Sequence, residues 1–195
     1  MQPIRRAIIA TFAAACVALG AGACAGGAGQ STTDVSTSPA PQQITTSSGQ
    51  SIRFNTTATV VAVSEAVGVG ADSAFNLLLK VYAELQIPTT SVDGRQRRLG
   101  NPSMKIRRRL GGVTLVKYLE CGNKDGVPNA ETYDIVLNIA SSVTVVAEGR
   151  ATVSTRVGGV ASHPIFGASN QMICSTTGEL EKRIAGAVKA MAGIK

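Results

Sequence analysis

Seven cations, Arg95, Arg97, Arg98, Lys105, Arg107, Arg108 and Arg109, crowd a stretch that contains no acidic residue. Guanidinium and ammonium groups at this density suit phosphate and carboxylate partners: anionic lipid headgroups, a phosphorylated glycan or an acidic protein surface. Near an anionic surface each such charge contributes about 1 kcal/mol, screened within a Debye length. The same residues also suit a solvated hairpin whose charges protect a sheet edge from association. Gly68-Val69-Gly70-Ala71-Asp72-Ser73, with Asp93 further on, has the outline of a dinucleotide-binding turn. Ser73 stands where the third glycine belongs and no repeated βαβ pattern follows, so the segment is read as a loop that starts a helix. A hydrolytic triad would have to use His163, the single histidine, which precedes Pro164 in a loop. No serine lies in a nucleophile-elbow motif, and several of the few carboxylates suit turns or helix caps. No catalytic residue is assigned, enzyme activity is not expected, and no cofactor or metal is implied.

The first fifty residues decide the compartment. Met1 to Arg6 is a short basic start without an acid, and Ala7 to Ala23 is apolar or small except for Thr11. With Ala21-Gly22-Ala23 before Cys24, this is an export signal over residues 1–23. The run is too short and too rich in Ala and Gly for a membrane-spanning helix. Ala23-Cys24, with Gly22 before it, resembles the lipobox of bacterial lipoprotein signals, in which cysteine follows the cut; Ala21 stands where that motif usually has Leu. The resemblance implies acylation of Cys24 and an exported chain held on the extracytoplasmic side of a membrane, periplasm-facing or at the cell surface. Ala25 is not the Asp associated with inner-membrane retention, which hints at an outer membrane. Residues 24–50 are dominated by Gly, Ala, Ser, Thr, Pro and Gln, a composition that cannot offset its ordering entropy by burial. They are expected to be a tether between the anchor and one domain at 51–195.

Once Cys16 leaves with the signal and Cys24 carries the lipid, Cys121 and Cys174 remain. Two thiols in an oxidising compartment most simply pair, closing a loop of about 53 residues worth roughly 4 kcal/mol in the chain-entropy model. Two buried free thiols are the alternative; a metal is poorly served without Cys-x-x-Cys spacing. Loss of Arg5 and Arg6 lowers the formal charge from +7 to +5. The absence of Trp and the scarcity of Phe and Tyr argue against stacking platforms for nucleic acid.

Elements to position these residues follow from periodicity. Ser51 to Val63 alternates as a strand. Phe75, Leu78, Leu79, Tyr82 and Leu85 form a helical stripe that Pro88 ends. Asp93-Gly94 predicts a tight hairpin turn. A strand is expected near Met104 to Arg109, and a short helix or strand at Val113 to Leu119. Ile135, Leu137 and Ile139 mark a strand with a bend at Ser141-Ser142, pairing back through Gly149. Thr176-x-x-Glu179 predicts a capping box for a last helix buried through Leu180, Ile184, Val188 and Met191. The expected fold is α+β: an antiparallel sheet of about four to six strands with two main helices packed on one face. The function expected is a lipid-anchored cell-envelope protein serving interaction or assembly without catalysis. The alternative is a module binding anionic lipid or glycan through Arg95–Arg109.

Overall fold

The computed structural model describes residues 60–193 and the strand segments 32–36, 42–45 and 51–54. Residues 1–23, read above as an export signal, and Cys24 lie outside the described residues. In chain order the elements are β1 (Thr32–Ser36), β2 (Gln42–Thr45), β3 (Ser51–Phe54), β4 (Val60–Val67), α1 (Ala71–Glu84), β5 (Ser91–Asp93) and β6 (Arg98–Ile106). Then come β7 (Arg109–Leu110), β8 (Val113–Thr114), a 3-10 turn (Leu115–Lys117), β9 (Leu119–Glu120), β10 (Asn123–Lys124), β11 (Val127–Pro128) and α2 (Asn129–Thr132). The chain continues through β12 (Asp134–Ala147), β13 (Arg150–His163), β14 (Gly167–Thr176) and α3 (Glu179–Met191).

The fold mixes helices with a large antiparallel sheet. Among the described residues its order is β1-β4-β13-β12-β6-β5, with β14 on β13 and β9 on β14, eight strands in all. That exceeds the expected four to six because β13 is long enough to serve two neighbours along one edge. Ala151–Arg156 pair with β4, and most of the stretch from Gly159 to His163 pairs with β14. The other additions are short edge strands. One of them, β1, lies inside the segment whose composition suggests a tether, and it pairs Thr32 with Ser64 and Ser36 with Val60. Strand pairing therefore starts before residue 51. Thr32, Thr33 and Val35 are β-branched, and β4 would otherwise present unpaired backbone groups at the sheet edge.

Alternation separates the two faces of the sheet. Ile135, Leu137, Ile139, Ser141 and Val143 of β12 are buried, as are Ala151, Val153, Thr155 and Val157 of β13, while the intervening positions are exposed or half-buried. The register places Ile139 opposite Val157 and Val143 opposite Val153, so these residues share a face. α1 contacts β12 and β13, α3 contacts β13 and β4, and the two helices contact each other. α1 buries Ala71, Ala74, Phe75, Leu78, Val81 and Tyr82, close to the stripe read from its period.

Several local expectations change. The strand anticipated at Met104 to Arg109 is instead β6, nine residues starting at Arg98. Ser51 to Val63 holds two strands, β3 and the beginning of β4; residues 55–59 are outside the described set. The Asp93-Gly94 hairpin forms, but its turn runs through Gly94 to Arg97. The Asp93 carboxylate accepts from the Arg95 and Gln96 amides at 3.0 Å, and Arg97, with φ 49°, takes the left-handed conformation. Ser141-Ser142 makes no break in the β12–β13 ladder, whose irregularity falls between Val145 and Ala147. Ser141 is instead buried in a hydroxyl chain, 2.8 Å from the Tyr82 hydroxyl and 2.7 Å from Thr155. Burial pushes the Tyr82 phenol up to about 12, against the weaker opposing effect of that hydrogen bond. The capping box does not form. Thr176 ends β14, Gly178 at φ 81° is the N-cap, and the Glu179 amide donates to the Thr177 hydroxyl at 3.3 Å.

Candidate functional site: a groove on the solvent face of the sheet

On the solvent face of the central strands, Asn138, Ser142 and Thr144 of β12 and Thr152 and Ser154 of β13 alternate with the buried positions, together with Val136 and Ala140. Across this face the register aligns Arg98 of β6, Ser142 of β12, Ser154 of β13 and Ser64 of β4 in one row. The Ser64 and Ser154 hydroxyls are 2.8 Å apart. The next row holds Gly100, Ala140 and Arg156, and Asn138 lies beyond it. Apart from Ser64, these residues, with Ser91 and Pro102, line a groove of about 600 Å³.

The floor is low because Gly100 has no side chain. A Cβ there would stand 2.3 Å from the Ile139 carbonyl oxygen and 3.1 Å from the Ala140 Cα, so β6 and β12 approach as only glycine permits. Gly100→Ala is expected to lower stability by about 1–3 kcal/mol, as overpacking at a rigid backbone contact does. Chemical denaturation would measure this, and unchanged stability would mean that the strands separate freely.

The seven cations singled out in the sequence do not form one patch. Arg98 opens β6 and Arg107 follows its last residue, at most roughly 30 Å apart at the usual rise per residue. Three are engaged locally. Arg97 Nε lies 2.7 Å from Asp72 Oδ1. That hydrogen bond, helped by the opposite charge, holds the Asp72 carboxyl below its usual range. Arg107 lies 3.6 Å from Asp134 and donates to the Thr132 carbonyl at 3.3 Å. Arg109 reaches the Gly112 carbonyl at 3.5 Å. Arg95 and Arg108 are exposed on turns, and Lys105 sits opposite Val136 on the solvent face. Of the seven, only Arg98 enters the groove.

Its counterpart, Arg156, lies 58 residues away in sequence and was not singled out. It occupies an exposed position of β13 inside an otherwise uncharged run, a signal readable only once strand phase is known. From the register and ordinary strand spacing, the Arg98 and Arg156 Cα atoms are roughly 12 Å apart across Ala140 and Ser142. Among the described residues neither guanidinium has an ion-pair or hydrogen-bond partner. Asp93 faces Arg98 in the β5–β6 pair, but its carboxylate is occupied by turn amides.

The remaining sequence-selected residues lie elsewhere. Cys121 and Cys174 are joined as a disulfide, both buried, linking the segment after β9 to β14. The Asn129 side chain donates to the Cys121 carbonyl at 2.9 Å, tying α2 to this staple. His163 packs edge-on against Tyr133, with ring centroids 5.0 Å apart, and beside Phe166 at 4.7 Å. Gly70 is the N-cap of α1, so the glycine-rich segment leads into that helix. Among the described residues no three His, Cys, Asp or Glu side chains converge as a metal site requires. No described helix is long and apolar enough to cross a membrane.

Sequence periodicity also missed Glu181. It lies on the buried stripe of α3 with Ile184, Ala185 and Val188, fully buried, and neither carboxylate oxygen has a hydrogen-bond partner of good geometry. Desolvation raises its pKa to about 7; nearby Thr176 and backbone groups at Val157 and Glu181 favour the charged form only weakly. An acid at the third and fourth positions before Ile184 and Ala185 was the available signal. Compared with protein-family models, with curated proteins and with solved structures, the chain matches none.

Proposed function

We propose that this chain is an exported lipoprotein of the cell envelope, acylated at Cys24, whose domain serves interaction or assembly without catalysis. The observation that carries the proposal is the order of segments at the start of the chain: basic start, apolar run, small residues, then Cys24. In this reading α1 and α3 together cover the buried face of the sheet and leave the polar face free for a partner. The contacts of both helices with β13 support that arrangement. Strand β1 begins eight residues after Cys24. Eight extended residues reach at most about 29 Å. An acylated Cys24 would therefore hold the sheet within that distance of the bilayer.

Labelling with radioactive palmitate is expected to mark the wild-type chain and not Cys24→Ala. Equal labelling of both, or of neither, would overturn the anchor. The second reading, binding of anionic lipid or glycan through Arg95–Arg109, is favoured in one part only. Arg97, Arg107 and Arg109 have internal partners, whereas Arg98 opens onto the groove.

A further inference from the structure

We infer that the groove on the solvent face of the sheet binds a phosphorylated polyol, with Arg98 and Arg156 gripping the phosphate from opposite sides. This deepens the anion-binding reading and does not depend on lipidation of Cys24. The two guanidinium groups stand on different strands with only Gly100, Ala140 and Ser142 rising between them. A side chain of arginine length spans about half of their roughly 12 Å Cα separation, so both can meet one anion. Planar guanidinium donors match phosphate oxygens in pairs, and two of them on one group provide the strongest charge-assisted contacts open to a protein without a metal.

Arg95, Arg108 and Arg150 are also exposed without an internal partner among the described residues, so what sets Arg98 and Arg156 apart is that they line one cavity. Arg97 and Arg107 bind carboxylates. Arg109 and Arg183 bind backbone carbonyls, and Arg183 also donates to the Tyr118 hydroxyl. Arg98 and Arg156 have no such partner among the described residues, yet line one cavity. The rest of the lining selects the organic part of the ligand. Ser91, Asn138, Ser142 and Ser154 offer hydroxyl and amide groups that can both donate and accept. No aromatic ring lines the groove, so sugar stacking is not supplied. A small phosphate ester bearing free hydroxyls fits both requirements. It could be free in solution or the headgroup of a phospholipid.

The test is calorimetric titration of the exported chain carrying Cys24→Ala with glycerol 3-phosphate, inorganic phosphate and glycerol. Saturable binding of glycerol 3-phosphate, tighter than inorganic phosphate and absent for glycerol, is expected. Arg98→Glu with Arg156→Glu should weaken it at least tenfold, whereas Arg108→Glu with Lys124→Glu should change it less than twofold. All four residues are exposed, and the fold can be checked by circular dichroism. Chemical-shift mapping in the chain without charge reversals gives an independent reading, with the largest shifts expected at Gly100, Ala140, Ser142 and Ser154. Co-sedimentation with phosphatidylglycerol vesicles, lost on the groove reversal, would identify a lipid headgroup as the source. Binding of the free ester without vesicle binding would identify a soluble ligand. No saturable binding of the ester, equal losses in the two charge-reversal pairs, or shifts confined to other surfaces would overturn the assignment. Palmitate labelling reports on Cys24 separately, so the two proposals can fail independently.

Discussion

Raising the pH from about 4.5 to 8 is expected to remove about 3 kcal/mol of stability through Glu181 alone. The carboxyl titrates near its ordinary value of 4.5 in the unfolded chain and about 7 in the folded one. Between these values the folded state binds the extra proton, so the derivative of unfolding free energy with pH is negative. Stability contributed by the neutral acid is complete below the unfolded value. It declines through the window and stays lost above the folded value. A difference of 2.5 pH units corresponds to the quoted energy at about 1.4 kcal/mol per unit. Burial without a strong partner is the physical origin, because desolving a carboxylate costs far more than desolving the neutral acid.

Glu181→Gln tests this directly. The amide occupies nearly the same volume and cannot ionise, so the variant should lose most of the slope and exceed the wild type in stability at pH 8. Urea unfolding at pH 4.5, 6 and 8 measures both curves. Parallel curves would show that the side chain reaches water when charged. The prediction is specific to Glu181 because the flanking Glu179 is exposed and pairs with Lys182 at 3.0 Å.

Reduction of Cys121–Cys174 is expected to cost about 4 kcal/mol. The bridge closes a loop of 53 residues containing α2, β12, β13 and most of β14, and the reduced unfolded chain regains the corresponding freedom. Both sulfurs are buried, so Cys121→Ala with Cys174→Ala also leaves small voids. Peptide mapping of the non-reduced protein should recover the linked pair, and thermal unfolding with and without reductant should differ by many degrees. Two free thiols, or one melting curve under both conditions, would remove the bridge from the account. The loss should be felt first between β9 and β14, where the bridge joins two edges that share only the Leu119–Thr176 and Glu120–Ser175 pairs.

Much of this architecture is legible locally. Apolar period located α1 and three of its buried residues, Phe75, Leu78 and Tyr82, though not Ala71, Ala74 or Val81, and alternation located β12 and β13 with their turn at Gly149. Such elements announce themselves because one face must be buried and the backbone period decides which residues belong to it. Errors arose where a residue's role depends on a distant neighbour. Ser141 looked like a bend because serine is a turn former, yet Tyr82 and Thr155 satisfy its hydroxyl inside the core. Thr176 looked like a cap, but it is drawn into β14 by pairing with Leu119.

By itself the sequence determined the period of the long elements, the candidacy of Cys121 and Cys174 as a pair and the cationic character of residues 95–109. Each is a property of composition or near spacing. Only tertiary structure decided which cations act together. The nine residues of β6 separate Arg98 at its start from Arg107 beyond its end, while register brings Arg156 from another strand to the groove that Arg98 lines. Charge density along a chain records covalent neighbours, whereas a binding site is made by side chains that share a face. In a sheet, that sharing is set by strand order and register, which a local pattern of residues does not encode.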